Sequence, residues 1–235
     1  MKKITLLTFL YTLIFSCNIY AQVGDPRRDL SIGINGGYAL NQVSFSPNIN
    51  QKMHGGITMG ATVRYTCEKY FSMICAIQGE LNFAQLGWTE DIKNGDLSGT
   101  YKRDVNYIQM PILVNLGFGK EKGGVKGYLL AGPHIGFCLG EKTSTSGEWD
   151  DSNLLIRQIT LHNTPIQKKF DYGLTLGLGM DISTKNGHHF TLEGRYGLSL
   201  SNIFNSRKQD TFSRSANNVI TVKVAYLFDI LKTQS

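Results

Sequence analysis

The sequence predicts an all-β protein, an eight-stranded antiparallel transmembrane up-and-down β-barrel of the outer-membrane type. Three observations carry this. The stretch Phe170 to Ile182 alternates without a fault, with Phe170, Tyr172, Leu174, Leu176, Leu178, Met180 and Ile182 on one face and Asp171, Gly173, Thr175, Gly177, Gly179 and Asp181 on the other. Successive side chains of a strand point to opposite faces, so one face is continuously apolar and the other small or acidic. Glycine on the non-apolar face suits a crowded, curved barrel interior better than a sheet surface in water. The second observation is that eight such stretches can be marked, an even number. The third is that connections after the first, third, fifth and seventh are long and the others short, the pattern of external loops and periplasmic turns with both termini periplasmic.

Taken in order, Gln22 to Asp29 is a polar lead containing Pro26, and the first strand runs from Leu30 to Leu40. It sets Leu30, Ile32, Ile34, Tyr38 and Leu40 against Ser31, Gly33, Asn35 and Gly37. Asn41 to Met53 reads as a loop. The second strand, Ile57 to Cys67, puts Arg64 and three threonines on the inner face, and a turn is expected at Glu68-Lys69. The third, Tyr70 to Trp88, turns Phe71, Met73, Ile77, Leu81 and Phe83 outward and Gln78, Glu80 and Asn82 inward. A loop through Asn94-Gly95-Asp96 and Ser98-Gly99 leads to the fourth, Asn106 to Phe118, where Pro111 removes a ladder donor and is expected at a bulge.

The fifth strand, Val125 to Gly140, follows a charged turn and sends Lys126, Tyr128 and His134 inward. Glu141 to Lys169 is the longest irregular stretch, and Phe170 to Ile182 is the sixth strand. After a turn at Ser183 to Gly187, the seventh strand opposes Phe190, Leu192, Tyr196 and Leu198 to Thr191, Glu193, Arg195 and Gly197. A polar loop, Ser201 to Asn217, precedes the last strand, in which Ile220 to Ile230 alternate with Thr221, Lys223, Ala225 and Asp229. Aromatic residues fall at both ends of this set, with Tyr65, Phe71, Phe118, Phe190 and Phe228 at the turn end and Trp88, Phe137, Phe170 and Tyr172 at the other. Two lipid-facing girdles are what a bilayer selects.

Residues 1–21 read as a secretory signal peptide, with Lys2 and Lys3, an apolar run from Ile4 to Phe15 and a small residue at Ala21. Lipoprotein processing at Cys17 is the rival reading, on Ile14-Phe15-Ser16-Cys17. The barrel domain is expected over 30–231, with a tail at 232–235. Past the leader remain Cys67, Cys75 and Cys138, an odd set without close spacing, which argues against a disulfide framework and a cysteine metal site. The formal net charge of +6 falls by two when the leader goes. That mild basicity suits anionic lipid headgroups and is no fingerprint of nucleic-acid binding.

The stretches YIQMPILVNLGFG (Tyr107 to Gly119), YLLAGPHIGFCLG (Tyr128 to Gly140), Phe170 to Ile182 and LEGRYGLSLSNI (Leu192 to Ile203), closing on Ala225-Tyr226-Leu227-Phe228, resemble the PorT-like family of small outer-membrane β-barrel proteins. The resemblance covers the second half of the chain. It implies an exported outer-membrane barrel, and for the family's name-giving member a part in type IX protein secretion. Fold transfers along such a resemblance better than role does.

Chemistry of other kinds finds little footing. Arg64, Glu80, Lys126, Asp171, Asp181, Glu193, Arg195, Lys223 and Asp229 are the charged residues expected in the lumen. They read as a mutually neutralising polar network, with a proton or ion path as the alternative. Lys126 and Asp181 are expected to pair at one end, so that removing both costs less than removing either. His134 has no second ligand at metal spacing, and His188-His189 reads as a solvated pair. Ser199, Glu193 and His134 share no hydrolytic signature, and the glycines of the sixth strand lack the Lys and Ser/Thr of a phosphate cradle. No catalytic residue, cofactor or metal is expected. The leading function is a structural or interaction barrel in outer-membrane lipid, against a secretion accessory and, as the third reading, a lipid-modifying enzyme. The external stretch 141–169, with Trp149, Asp150, Asp151 and Arg157, is either a contact surface for protein partners or a mobile loop.

Overall fold

A computed structural model describes residues 25–94, 97–120, 123–147, 154, 156–207 and 210–232. The expected leader, with its two processing sites, lies outside the described residues, as do Trp149, Asp150 and Asp151. Eight antiparallel strands close into a ring in chain order: β1 (Asp25–Ser46), β2 (His54–Tyr70), β3 (Met73–Asn94), β4 (Leu97–Gly119), β5 (Gly124–Gly147), β6 (Phe170–Ser183), β7 (His188–Ser199) and β8 (Arg214–Leu231). The last strand returns to the first, from Leu30 opposite Leu231 to Ser46 opposite Arg214. In the ring, where all eight strands pair on both sides, closure leaves no free ladder edge, the condition for putting β-structure in hydrocarbon. Among the described residues, one helix, α1 (Ile156–Asn163), stands between β5 and β6.

The strands divide into two zones along the barrel axis. In the lower zone the expected alternation holds, with Ile34 70% exposed and Leu178 66% exposed while Asn35, Thr175 and Asp181 are buried. Ile77, Ile112, Leu129, Leu176, Leu192 and Val224 continue the outer band around the ring. This apolar belt faces lipid. Above it, β1, β3, β4 and β5 run on beyond the belt and form a crown, where the apolar residues point inward. Val43, Phe45, Leu86, Trp88, Val105 and Leu161 are all buried there, and Thr89, Asp91, Lys102 and Asp104 take the outer positions.

Several expectations change. The long loop after the third strand is instead a strand extension, with β3 reaching Asn94 and β4 starting at Leu97 in one continuous register. β1 likewise continues to Ser46. Stretch 141–169 is not uniformly irregular, since β5 runs to Gly147 and α1 follows. Trp88 is no lipid-facing girdle residue but is fully buried in the crown. The turn expected at Glu68-Lys69 lies at Phe71-Ser72, where Phe71 sits at φ +51° and is 79% exposed at the tip, clear of the belt. Pro111 causes no bulge, because β3 and β4 keep one register on both sides of it. The bulge in that region is on β5, where Leu139 has no partner between the Tyr107–Cys138 and Asn106–Gly140 pairs.

Two substitutions separate the zones. Leu176→Arg, on the lipid face of β6, should lower folding stability in lipid vesicles by roughly 2–4 kcal/mol, the cost of Arg near the bilayer midplane. Normal insertion of that variant would invert the assignment of faces. Trp88→Ala should cost about 3–5 kcal/mol through the cavity it leaves. It should make the crown sensitive to protease while the belt keeps its heat-resistant mobility on gels, and loss of both together would mean that the two zones fold as one unit.

Candidate functional site

Apart from Asp171, the lumen residues named from the sequence lie in two linked knots. In the first, Arg195 donates from Nη1 to Glu80 Oε2 at 2.9 Å and from Nη2 to Glu80 Oε1 at 2.6 Å. Lys223 Nζ donates to Glu80 Oε2 at 2.7 Å, and Arg195 also pairs with Glu193. In the second, Arg64 Nη1 donates to Asp181 Oδ2 at 2.9 Å, with Lys126 Nζ at 3.5 Å from the same oxygen. Asp171 stands apart, accepting from Ser199 at 2.9 Å and from Ser201. The cations of each knot thus face carboxylates at contact distance, which is what burial of charge requires.

Neutral side chains join the knots. Gln78 accepts from Arg64 Nε at 3.0 Å and from Asn115 Nδ2 at 2.8 Å through Oε1, and donates through Nε2 to Glu80 at 2.7 Å. Tyr128 donates to Glu193 Oε1 at 2.5 Å, and its ring carries the Arg64 guanidinium 5.3 Å from the centroid. That ring fits because Gly179 faces it from β6, where an added Cβ would come within 2.5 Å of Tyr128 Cζ. His189 is no solvated residue: Nδ1 lies 3.1 Å from Asp181 and Nε2 3.1 Å from Asp229, which also accepts from Ser31 at 2.7 Å. Its neighbour His188 is exposed and stacks on Tyr226. Sequence alternation placed Gln78 and Tyr128 inward, but their joining role depends on register across four strands.

The hydrolytic triad is not assembled. Ser199 is spent on Asp171, His134 Nδ1 meets Thr175 Oγ1 at 3.0 Å, and Glu193 is held by Arg195 and Tyr128. His134 borders a cavity of about 50 Å³ shared with Asn82, Thr175, Arg195 and Lys223, room for roughly three waters at ~15 Å³ each. Among the described residues no cluster of His, Cys, Asp or Glu gathers as metal ligands.

The crown is held by a residue that sequence reading passed over. Arg103, 3% exposed, donates from Nη1 to the Thr164 carbonyl at 2.7 Å and from Nη2 to the His162 carbonyl at 2.9 Å. It thereby satisfies carbonyls at the C-terminal end of α1. Its guanidinium lies 5.2 Å from the Trp88 ring centroid and its Nε donates to Tyr101 at 3.0 Å. Tyr101 stacks on His162 at 3.7 Å, and Glu90 accepts from Trp88 Nε1 at 3.0 Å while His162 Nε2 stands 3.4 Å away. An eight-residue helix is marginal alone, so these ties and the buried Leu161 hold it. Burial pushes the Tyr101 hydroxyl upward and holds the His54 imidazole below its ordinary value, against the pull of Asp104. The signal for Arg103 was present, since Tyr101, Arg103, Val105 and Tyr107 continue the inward set of β4.

A family model described as an outer membrane protein beta-barrel domain matches residues 20–205. No curated protein matches the chain. Among solved structures, the chain is similar to OprG from Pseudomonas aeruginosa at 12% identity and a TM-score of 0.49, over 88% of this chain and 98% of that one. It is similar to the attachment invasion locus protein Ail of Yersinia pestis at 15% identity and a TM-score of 0.36, over 84% and 98% of the two chains. For Neisserial surface protein A the figures are 12% identity and 0.39, over 83% and 95%.

The carboxylate of Asp181 serves Arg64, Lys126 and His189 together, which alters the expected pair energetics. Asp181→Leu should cost about 3–5 kcal/mol by leaving buried cations uncompensated. Lys126→Met should cost much less, because Asp181 keeps two partners. A double-mutant cycle read from unfolding in lipid vesicles should give a larger coupling for Arg64–Asp181 than for Lys126–Asp181. Equal couplings would mean that water screens both pairs alike.

Proposed function

The chain belongs to the outer membrane protein beta-barrel domain family, and we propose that within it this protein is a structural and interaction barrel without catalytic turnover. The single observation that carries this reading is the division of labour along the axis. The membrane zone spends its polar side chains on one another, with Arg195, Lys223 and Glu80 meeting across the lumen at under 3 Å. A wall-to-wall ion cluster is a support for a narrow barrel, not a route through it. The crown, in contrast, carries a packed core of its own, with Phe45 and Trp88 rings 5.5 Å apart and Phe45 and Phe212 5.0 Å apart. A rigid platform raised clear of the membrane is what a contact surface needs.

In this reading the crown faces the cell exterior and the short turns face the periplasm, after export by a cleaved leader. A role as an accessory of type IX secretion rests on the PorT-like resemblance alone. A lipid-modifying activity has less in its favour, since Ser199 and His134 point to separate partners.

Two measurements test the proposal. A cysteine at Ser146, an exposed position near the end of β5, should react with a membrane-impermeant thiol reagent on intact cells. One at Asn186, in the β6–β7 turn, should react only after the outer membrane is opened; the reverse pattern overturns the orientation. The purified protein in planar bilayers should show no steady ohmic conductance, and a stable open channel would overturn the reading of the lumen as filled.

A further inference from the structure

The crown contains a cavity of 190 Å³ between α1 and the segment leading into β8. Its floor is carbon, from the buried Leu161, Phe204 and Phe212. Its rim is amide, hydroxyl and carboxylate, from Gln167, Asn205, Asp210 and Thr211. An apolar cavity of about 150 Å³ takes up a benzene-sized molecule, so this one has room for a single six-membered ring with small substituents.

The state of the rim groups narrows the chemistry. Gln167 Oε1 accepts from the Asn205 backbone N–H at 2.8 Å, which orients the carboxamide and leaves its NH₂ as a donor. Asp210 Oδ2 accepts from the Arg207 backbone N–H at 2.6 Å, leaving Oδ1 as an acceptor. No hydrogen bond within the described chain engages the side chains of Asn205 or Thr211. Donors and acceptors are therefore both present on the rim above a carbon floor, and the described lining holds one carboxylate and no cation. A phosphate or carboxylate ligand would meet Asp210 with no cation in the described lining to offset it, at a cost in affinity. A plain hydrocarbon would leave the rim groups dehydrated and unpaired.

We propose that this cavity is a binding site for one neutral sugar ring, a hexose or N-acetylhexosamine unit such as a surface glycan presents. A pyranose has C–H faces for the Leu161–Phe204–Phe212 floor and a girdle of hydroxyls that donate and accept, matching the rim. The proposal rests on the reading of the crown as a contact surface and names what it contacts. The lip of the cavity is built on α1, so the ties from Arg103 to the helix carbonyls also set the site's shape.

The test is a titration of the full chain, folded in a detergent without a sugar headgroup, with neutral methyl glycosides of hexoses and N-acetylhexosamines. Binding is read by saturation-transfer NMR and intrinsic tryptophan fluorescence. Association in the millimolar range is expected. Asn205→Ala removes one unengaged rim amide and Thr211→Trp fills the cavity from the rim; each should weaken binding about tenfold or more. Retained heat-resistant mobility on gels identifies variants that have folded. Absence of binding to every glycoside, affinity unchanged in both folded variants, or tighter binding of phenol or a hexose phosphate than of the neutral glycosides would each overturn the proposal. The titration is indifferent to orientation in the membrane, so its failure would leave the cysteine-labelling result, and the proposed topology, standing.

Discussion

A strand that leaves hydrocarbon for water must exchange its apolar face, and the rest of this molecule follows from that exchange. In the belt the outside solvent is lipid, so Ile77 and Leu81 face out while Gln78, Glu80 and Asn82 face in. Farther along the same β3 the outside solvent is water, and Leu86 and Trp88 now face in. The pleat has not changed, since positions 78 to 92 keep the same parity throughout. What changes is the chemistry placed on each face. One continuous ladder thus supports two cores of opposite kind, ionic below and hydrophobic above.

Each core answers the problem left by the other. Eight strands enclose a lumen wide enough for side chains and little more. Carboxylates there are shared: Glu80 takes Arg195 and Lys223, and Asp181 takes Arg64, Lys126 and His189. Above them, Asn41 forms a seam between the cores, donating to the Gly87 carbonyl at 2.7 Å and to Asn217 at 3.0 Å. Gly87 sits at φ +139°, and an added Cβ would lie 1.9 Å from the Arg103 carbonyl oxygen, so the seam requires glycine there. Aromatic and leucine side chains then fill the crown, where hydrophobic burial stabilises against water as in any soluble domain.

The belt was legible in the sequence because lipid and lumen differ so strongly that period two survives in single residues, as Phe170 to Ile182 shows. The lumen charges were legible by parity alone. Their partners were not, since Gln78 meets Arg64, Asn115 and Glu80 only through the register of neighbouring strands. The crown escaped for a different reason. Inversion leaves alternation intact while reversing its meaning, and no local residue marks the membrane boundary. Trp88 was therefore assigned to lipid when its own parity with Glu80 places it inside. Helix α1 gave almost no signal, being short and held by Arg103 from a distant strand.

The bulge on β5 shows how finely the boundary is set. Below it, even positions face the lumen, with His134, Gly136 and Cys138 inward and Ile135, Phe137 and Leu139 outward. The unpaired Leu139 shifts the count by one, so that Glu141 comes opposite Val105 and Thr143 opposite Arg103, both of which face the interior. Were Leu139 kept in the ladder and the alternation unbroken, Glu141 would share its outward parity and enter the lipid interface beside it. With the bulge, Glu141 turns in, accepts the Ile166 backbone N–H at 2.9 Å and stands 3.4 Å from Arg103. Bulges re-aim side chains in this way. The same glutamate thereby braces the chain after α1 and supplies charge to the guanidinium that holds the helix, so one inserted residue at the membrane boundary couples the end of the lipid belt to the closure of the crown.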